Sequence, residues 1–239
     1  MAEIDQFGMI TGIIITIVMI LQLLLAAILM VKYSSTKDKR VLYFSLFMGF
    51  SAISFIAISA NFINILLTGK AINPFLFLLV AFGIGPASLL FWMILITDLM
   101  YQNKRKIILG IFLIYFIVMR VWFFYLLIFD IESLAWDIWP GRLKVGPYLQ
   151  IMMITQLIII IITSILFFRE SHKSENKEVR LKGTLFLLGI LVMVGSMLLY
   201  SITLNPVFIL ILMIPALIIL YGALTMPEFV KRRLIKERE

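Results

Sequence analysis

Apolar residues run almost without interruption through seven stretches of this chain, separated by short polar connections. A hydrocarbon core about 30 Å thick is crossed by about 20 apolar residues in helical form. Met9–Val31, Val41–Leu67, Phe75–Ile96, Ile107–Phe129, Pro147–Phe168, Gly183–Tyr200 and Pro206–Met226 approach or exceed that length. Barrel strands alternate apolar and polar residues over about ten positions, and these runs do not alternate. Backbone groups in lipid must find partners within their own segment, which a helix provides. The predicted fold class is therefore all-α: a polytopic seven-transmembrane helix bundle over residues 1–226. Pro227 is expected to end the last span, and residues 227–239 (PEFVKRRLIKERE) read as a short basic juxtamembrane helix.

Charge gives the bundle a direction. Seventeen of the 21 Lys and Arg residues follow spans 1, 3, 5 and 7, as Lys32–Arg40, Lys104–Lys106, Arg169–Lys182 and Lys231–Arg238. The opposite side holds Lys70, Arg142 and Lys144, and Arg120 lies inside span 4. Short cytoplasmic loops carry the excess of basic residues, which predicts an N-terminus outside, a C-terminus in the cytoplasm and a multi-pass protein of the cell membrane. The segment before Met9 carries Glu3 and Asp5 and no basic residue, so span 1 is expected to be retained rather than cleaved as a signal peptide.

Composition narrows the chemistry. The chain is 63% hydrophobic and 14% charged, with a mean hydropathy of +1.11, far from soluble domains. The net charge of +8 is accounted for by topology and attraction to anionic lipid, and not by nucleic-acid binding. No cysteine is present, so disulfides, thiolate chemistry and cysteine metal sites are excluded. No metal cluster, paired intramembrane aspartates, GxSxG or phosphate-cradling loop occurs, so neither enzyme activity nor a cofactor is expected. A retinal protein would need a lysine in span 7, and Pro206–Met226 has none.

Polar residues inside the spans are the candidate site. Arg120 sits 13 residues along span 4 from Ile107, about 20 Å at 1.5 Å per residue, in the predicted outer half. A buried charge there costs about 2.5–3.5 kcal/mol on insertion scales. Either Arg120 snorkels to the surface toward Asp130, Glu132 or Asp137, or it binds a polar ligand in an outward cavity. Thr155 and Gln156 in span 5 and Ser196 in span 6 fall at similar depth and complete the candidate ligand-binding set. Gly83, Gly85 and Pro86 in span 3 and Pro215 in span 7 are the candidate hinges. Each proline lacks the N–H that would bond the carbonyl four residues back, which frees Phe82 and Ile211. Elsewhere, Gln22 is expected in an interhelical hydrogen bond, Asp98 in an interfacial ion pair, and His172 in solvent. Asn61 and Asn64 are placed at the outer rim, and Trp122–Tyr125 in the outer aromatic belt. The outer segment Asp130–Gly146, with Trp136, Trp139 and the Pro140–Gly141 turn, reads either as a surface loop or as a lid.

Leu89–Met100 (LLFWMILITDLM) at the end of span 3, Gly146-Pro147-Tyr148 opening span 5, and Arg180-Leu181-Lys182-Gly183 opening span 6 are the most distinctive stretches. With a basic tail after span 7, they resemble the seven-transmembrane sensor region of membrane histidine kinases. That resemblance implies sensing from the outer or membrane side and output to a cytoplasmic domain. No kinase, PAS or cyclase domain lies within the sequence to Glu239, so output through a separate cytoplasmic signalling partner is expected. The resulting reading is a non-enzymatic sensor that binds a small molecule or lipid around Arg120 and Gln156 and relays through Pro215 to Phe229–Glu239. A small secondary transporter using the same cavity, and a structural subunit of a membrane complex, are the alternatives.

Overall fold

The computed structural model describes residues 4–138, 143–203 and 207–226. Trp139, the Pro140–Gly141 turn, Arg142, Pro206, Pro227 and the predicted basic helix at 227–239 lie outside the described residues. Six helical stretches are long and apolar enough to cross a membrane: Gln6–Thr36, Lys39–Thr68, Pro74–Met100, Gln102–Phe129, Pro147–His172 and Lys177–Leu199. The chain is an all-α, multi-pass membrane bundle.

In chain order the helices are α1 (Gln6–Thr36), α2 (Lys39–Thr68), α3 (Pro74–Leu78), α4 (Ser88–Met100), α5 (Arg105–Phe129), α6 (Ile131–Leu134), α7 (Pro147–His172), α8 (Lys177–Thr203) and α9 (Val207–Thr225). Within α9 the described apolar stretch is Ile211–Thr225, shorter than the other six. The expected third span is divided, with α3 and α4 separated by a π-turn at Leu79–Ile84 and a 3-10 turn at Gly85–Ala87.

Local chemistry sets the ends. Asp5 accepts the Gly8 N–H at 2.8 Å and starts α1. Lys37, at φ 54°, turns the chain out of α1, and Asp38 then accepts the Arg40 N–H at 2.9 Å to start α2. Gly69, at φ 71°, ends α2 in the left-handed conformation that glycine adopts without strain. Asn73 caps α3, with Pro74 at the first helical position, where no N–H is required.

α1 packs along α2, α8 packs along α9, and α1 also contacts α9. Small residues permit the close crossings: a side chain at Gly12 would run into the Phe62 ring, and one at Gly189 would meet Leu220. Ser45 of α2 donates to the Ala26 carbonyl of α1 at 2.7 Å. Gln22 is buried and accepts from Ser51 at 3.5 Å, the expected interhelical contact at its longest.

Two apolar clusters result. The larger draws on α1, α2, α4, α8 and α9 around the fully buried Trp92. The Trp92 indole stacks on Phe186 at 5.3 Å and donates to Thr163 Oγ1 at 2.9 Å, joining α4, α7 and α8. The smaller cluster gathers Phe77, Phe82, Phe123, Leu134, Leu149 and Met152 at the opposite end of the bundle from the basic connections. Over it, β1 (Ala135–Asp137) and β2 (Lys144–Val145) pair antiparallel, Ala135 with Val145 and Asp137 with Lys144. The Gly146 N–H bonds the Leu134 carbonyl at 2.6 Å. A side chain at Gly146 would collide with the Ser133 carbonyl. The segment after α5 is thus a folded cap.

Asn61 secures that cap. It is buried, donates Nδ2–H to the Ile138 carbonyl at 2.6 Å, and accepts the Ile72 N–H at 2.9 Å. At the basic end, Asp98 pairs with Arg105 at 2.9 Å and Arg40 at 3.6 Å, tying α4 to α5 and α2 as expected. Replacing Asn61 by Ala strands two backbone groups at about 1–3 kcal/mol each. Thermal unfolding in nonionic detergent is expected to show a clear loss for Asn61→Ala. Asn64→Ala, which removes only an exposed bond to the Lys70 carbonyl, is expected to show little; equal losses would contradict this role for Asn61.

Candidate functional site

The site begins with a missing hydrogen. Pro86 has no N–H for the Phe82 carbonyl, so a regular helix cannot pass through this position fully bonded. The backbone first widens: over Leu79–Ile84 it adopts the π form, and the Gly85 N–H reaches back five residues to the Val80 carbonyl. It then tightens into one 3-10 turn at Gly85–Ala87 before α4 begins. The predicted hinge residues Gly83, Gly85 and Pro86 all fall in this break.

Three successive carbonyls in the break are met by side chains from other helices. Ser54 of α2 donates to Ala81 O at 2.6 Å. Arg120 Nη1 of α5 donates to Phe82 O at 2.5 Å and to Gly83 O at 3.2 Å. Gly85 permits this approach, because a Cβ there would occupy the place of Ser54 Oγ. Non-helical backbone at membrane depth is tolerated where neighbouring side chains re-satisfy it, and the break meets that condition from two sides.

Arg120 is half-buried on α5, 15 residues after Arg105, about 22 Å along the helix. Its Nη2 contacts Met152 Sδ of α7 at 3.0 Å. The guanidinium carbon lies 5.1 Å from the Phe116 ring centre and 5.6 Å from that of Phe123. The partners are carbonyls, a thioether and two ring faces. Among the described residues no carboxylate pairs with Arg120, so the surface-directed pairing with Asp130, Glu132 or Asp137 is not the geometry adopted. Its Nε is buried and has no partner among the described residues.

Around this centre α5 and α7 meet through long side chains. The Tyr148 hydroxyl donates to the Met119 carbonyl. Tyr115 of α5 lies near Thr155 of α7, whose Oγ1 donates to Ile151 O of its own helix at 2.7 Å. Tyr148, Met152 and Gln156 recur every four residues and share one face of α7. Gln156 is half-buried, and its side chain makes no hydrogen bond among the described residues.

The predicted set is therefore brought together only in part. Arg120 reaches Met152 across the α5–α7 seam, Thr155 bonds only its own helix, and Gln156 shares the α7 face of Tyr148 and Met152. Ser196 lies elsewhere, on α8 between residues of the larger cluster, with its hydroxyl on Met193 O at 2.6 Å. Pro215 does not break its helix, since α9 continues through it as α-helix. His172 is exposed, with Nδ1 3.0 Å from Phe168 O. Ser54, Tyr115, Tyr148 and Met152 escaped sequence reasoning. The four-residue spacing of Tyr148, Met152 and Gln156 was the one available signal.

No family model matches the chain, and neither a curated protein nor a solved structure shows significant similarity to it.

If Arg120 completes the break, its value depends on Pro86. Arg120→Leu is expected to lower unfolding stability by about 1–3 kcal/mol. In a Pro86→Ala background the Phe82 carbonyl regains a backbone donor, and the same replacement should cost measurably less. A double-mutant cycle by detergent unfolding measures that difference; additive losses would show that Arg120 does not serve the break.

Proposed function

We propose that this chain is a non-enzymatic, receptor-like membrane sensor of seven spans, with its N-terminus outside and its C-terminus in the cytoplasm. The observation that carries the reading is the break in the third span, whose carbonyls at Ala81, Phe82 and Gly83 accept from Ser54 and Arg120 on two other helices. An element bonded by side chains on two other helices changes state when either donor is drawn away, which is what a switch requires.

A route to the other end of the bundle follows. α4 starts at the break and runs as regular helix to Asp98, about 15 Å from Ser88. There Asp98 grips Arg105 and Arg40. A rotation or shift at the break therefore moves the basic ends of α2, α4 and α5, the surface offered to a cytoplasmic signalling partner. α4 takes the relay role first assigned to Pro215. The resemblance to the sensor region of histidine kinases agrees with this use, and the ligand is a small molecule or lipid reaching the Arg120 seam. A transporter with gates in spans 3 and 7 gains less support, because Pro215 lies in unbroken helix.

The absence of native cysteine makes both tests direct. Cysteines replacing Asp5 and Glu132 should react with a membrane-impermeant maleimide on intact cells, and those replacing Asn103 and Glu175 only after permeabilisation. Labelling of Asn103→Cys on intact cells would reverse the orientation. Spin labels at positions 102 and 174 should report a changed distance distribution when Pro86 becomes Ala. An unchanged distribution in folded protein would remove the relay.

A further inference from the structure

The Arg120 guanidinium is spent unevenly. A guanidinium carries five N–H donors in a fixed plane. Nη1 donates to two carbonyls. The opposite edge, formed by Nε–H and one Nη2–H, is the edge that meets a carboxylate through two parallel bonds. Here Nε has no partner, and Nη2 has only the Met152 thioether, a weak acceptor. A fixed positive charge at membrane depth thus keeps its best anion-binding edge unused behind a flexible apolar side chain.

The surroundings define what could take that edge. α5 and α7 present Ile117, Val121, Ile151 and Ile154 at their outward surfaces, each at least half exposed, so the seam opens toward acyl chains rather than bulk water. Gln156 lies one turn from Met152 on the same face of α7, and its side-chain amide is uncommitted among the described residues. We propose that the seam between α5 and α7 is a binding site for a single-chain lipid with a carboxylate head group. Its carboxylate displaces the Met152 sulfur and takes the Nε–Nη2 edge of Arg120, and its alkyl chain lies along the apolar α5–α7 surface.

A carboxylate fits better than a phosphate because the edge offers two donors and one positive charge, which a carboxylate matches without leaving further charge buried. The assignment rests on the sensor reading for its consequence. A guanidinium turned toward the carboxylate loosens its bonds to Phe82 and Gly83, and the break changes state. Met152 acts as the plug, and methionine suits that task because its unbranched chain repacks at small cost.

The test uses the full chain in nonionic detergent, with binding of oleate, oleyl alcohol and lysophosphatidic acid compared by ligand-dependent thermal unfolding. Oleate should bind about tenfold or more tightly than the alcohol, as one charged hydrogen-bonded contact requires, and more tightly than the phosphate lipid. Arg120→Gln should abolish the preference for oleate over the alcohol. Met152→Ala, which leaves the guanidinium in place, should tighten oleate binding, and Met152→Leu should not. Equal binding of oleate and oleyl alcohol would reduce the seam to an apolar surface. Tighter binding of the phosphate lipid would overturn the choice of head group. The two readings fail separately: oleate binding without movement of the labels at 102 and 174 removes the sensor and keeps the site, whereas movement on Pro86→Ala without oleate binding does the reverse.

Discussion

An unpaired carbonyl in hydrocarbon has no water to turn to, and this bundle is arranged around one that proline makes unavoidable. Pro86 frees Phe82 O, and Arg120 supplies the donor. The same contact lessens a second problem, since a guanidinium at that depth is costly and Nη1 here finds two acceptors. Two unfavourable features, one on the third span and one on the fourth, thereby become one favourable contact. The π-turn, the 3-10 turn and the close approach of Gly85 to Ser54 bring the backbone to where both donors can reach it.

The division into two cores follows from the same place. Phe82 and Phe123 belong to the smaller cluster beneath the hairpin, whereas Phe116, on the other side of the guanidinium, packs against the larger one. Arg120 stands at the boundary between them. Below it the bundle is bound by stacked aromatics and by Trp92 bonded to Thr163. Above it the cap is held by Asn61, which bonds the α2–α3 connection and the segment after β1 at once. The polar contacts at the two levels are few, and Trp92 and Asn61 each have their partners, as apolar surroundings demand.

Much of this was legible in the sequence, because lipid allows only a few backbone solutions. Continuous apolar runs predict seven spans; six of them are long apolar helices, whose ends fall within about two turns of the predicted bounds. Pro86 identifies the freed Phe82 carbonyl, and the depth of Arg120 marks it as needing a partner. The pairing of those two residues was not legible, since it depends on the rotation of α5 about its axis, and α5 is apolar on all sides. Ser196 shows the same limit from the opposite direction: depth along a helix put it level with Arg120, but its helix turns it into the other core. Pro215 shows that a proline frees a carbonyl without deciding that the helix will break. The π-turn in the third span occurs where Gly83 and Gly85 flank the strained carbonyls, and α9 has no comparable glycine pair next to Pro215.

One contact at the basic end bears on how the bundle is made. Lys32 of α1 donates to the Thr225 carbonyl that ends α9, across 193 residues of chain. At synthesis rates of about 5–20 residues per second, roughly 10 to 40 s separate the appearance of those two partners. During that interval α1 is already inserted beside α2 with its α9-facing side uncovered, so lipid or the insertion machinery must occupy the position. Closure of the bundle through the α1–α9 contact is consequently a late event, because it waits for the synthesis of α9.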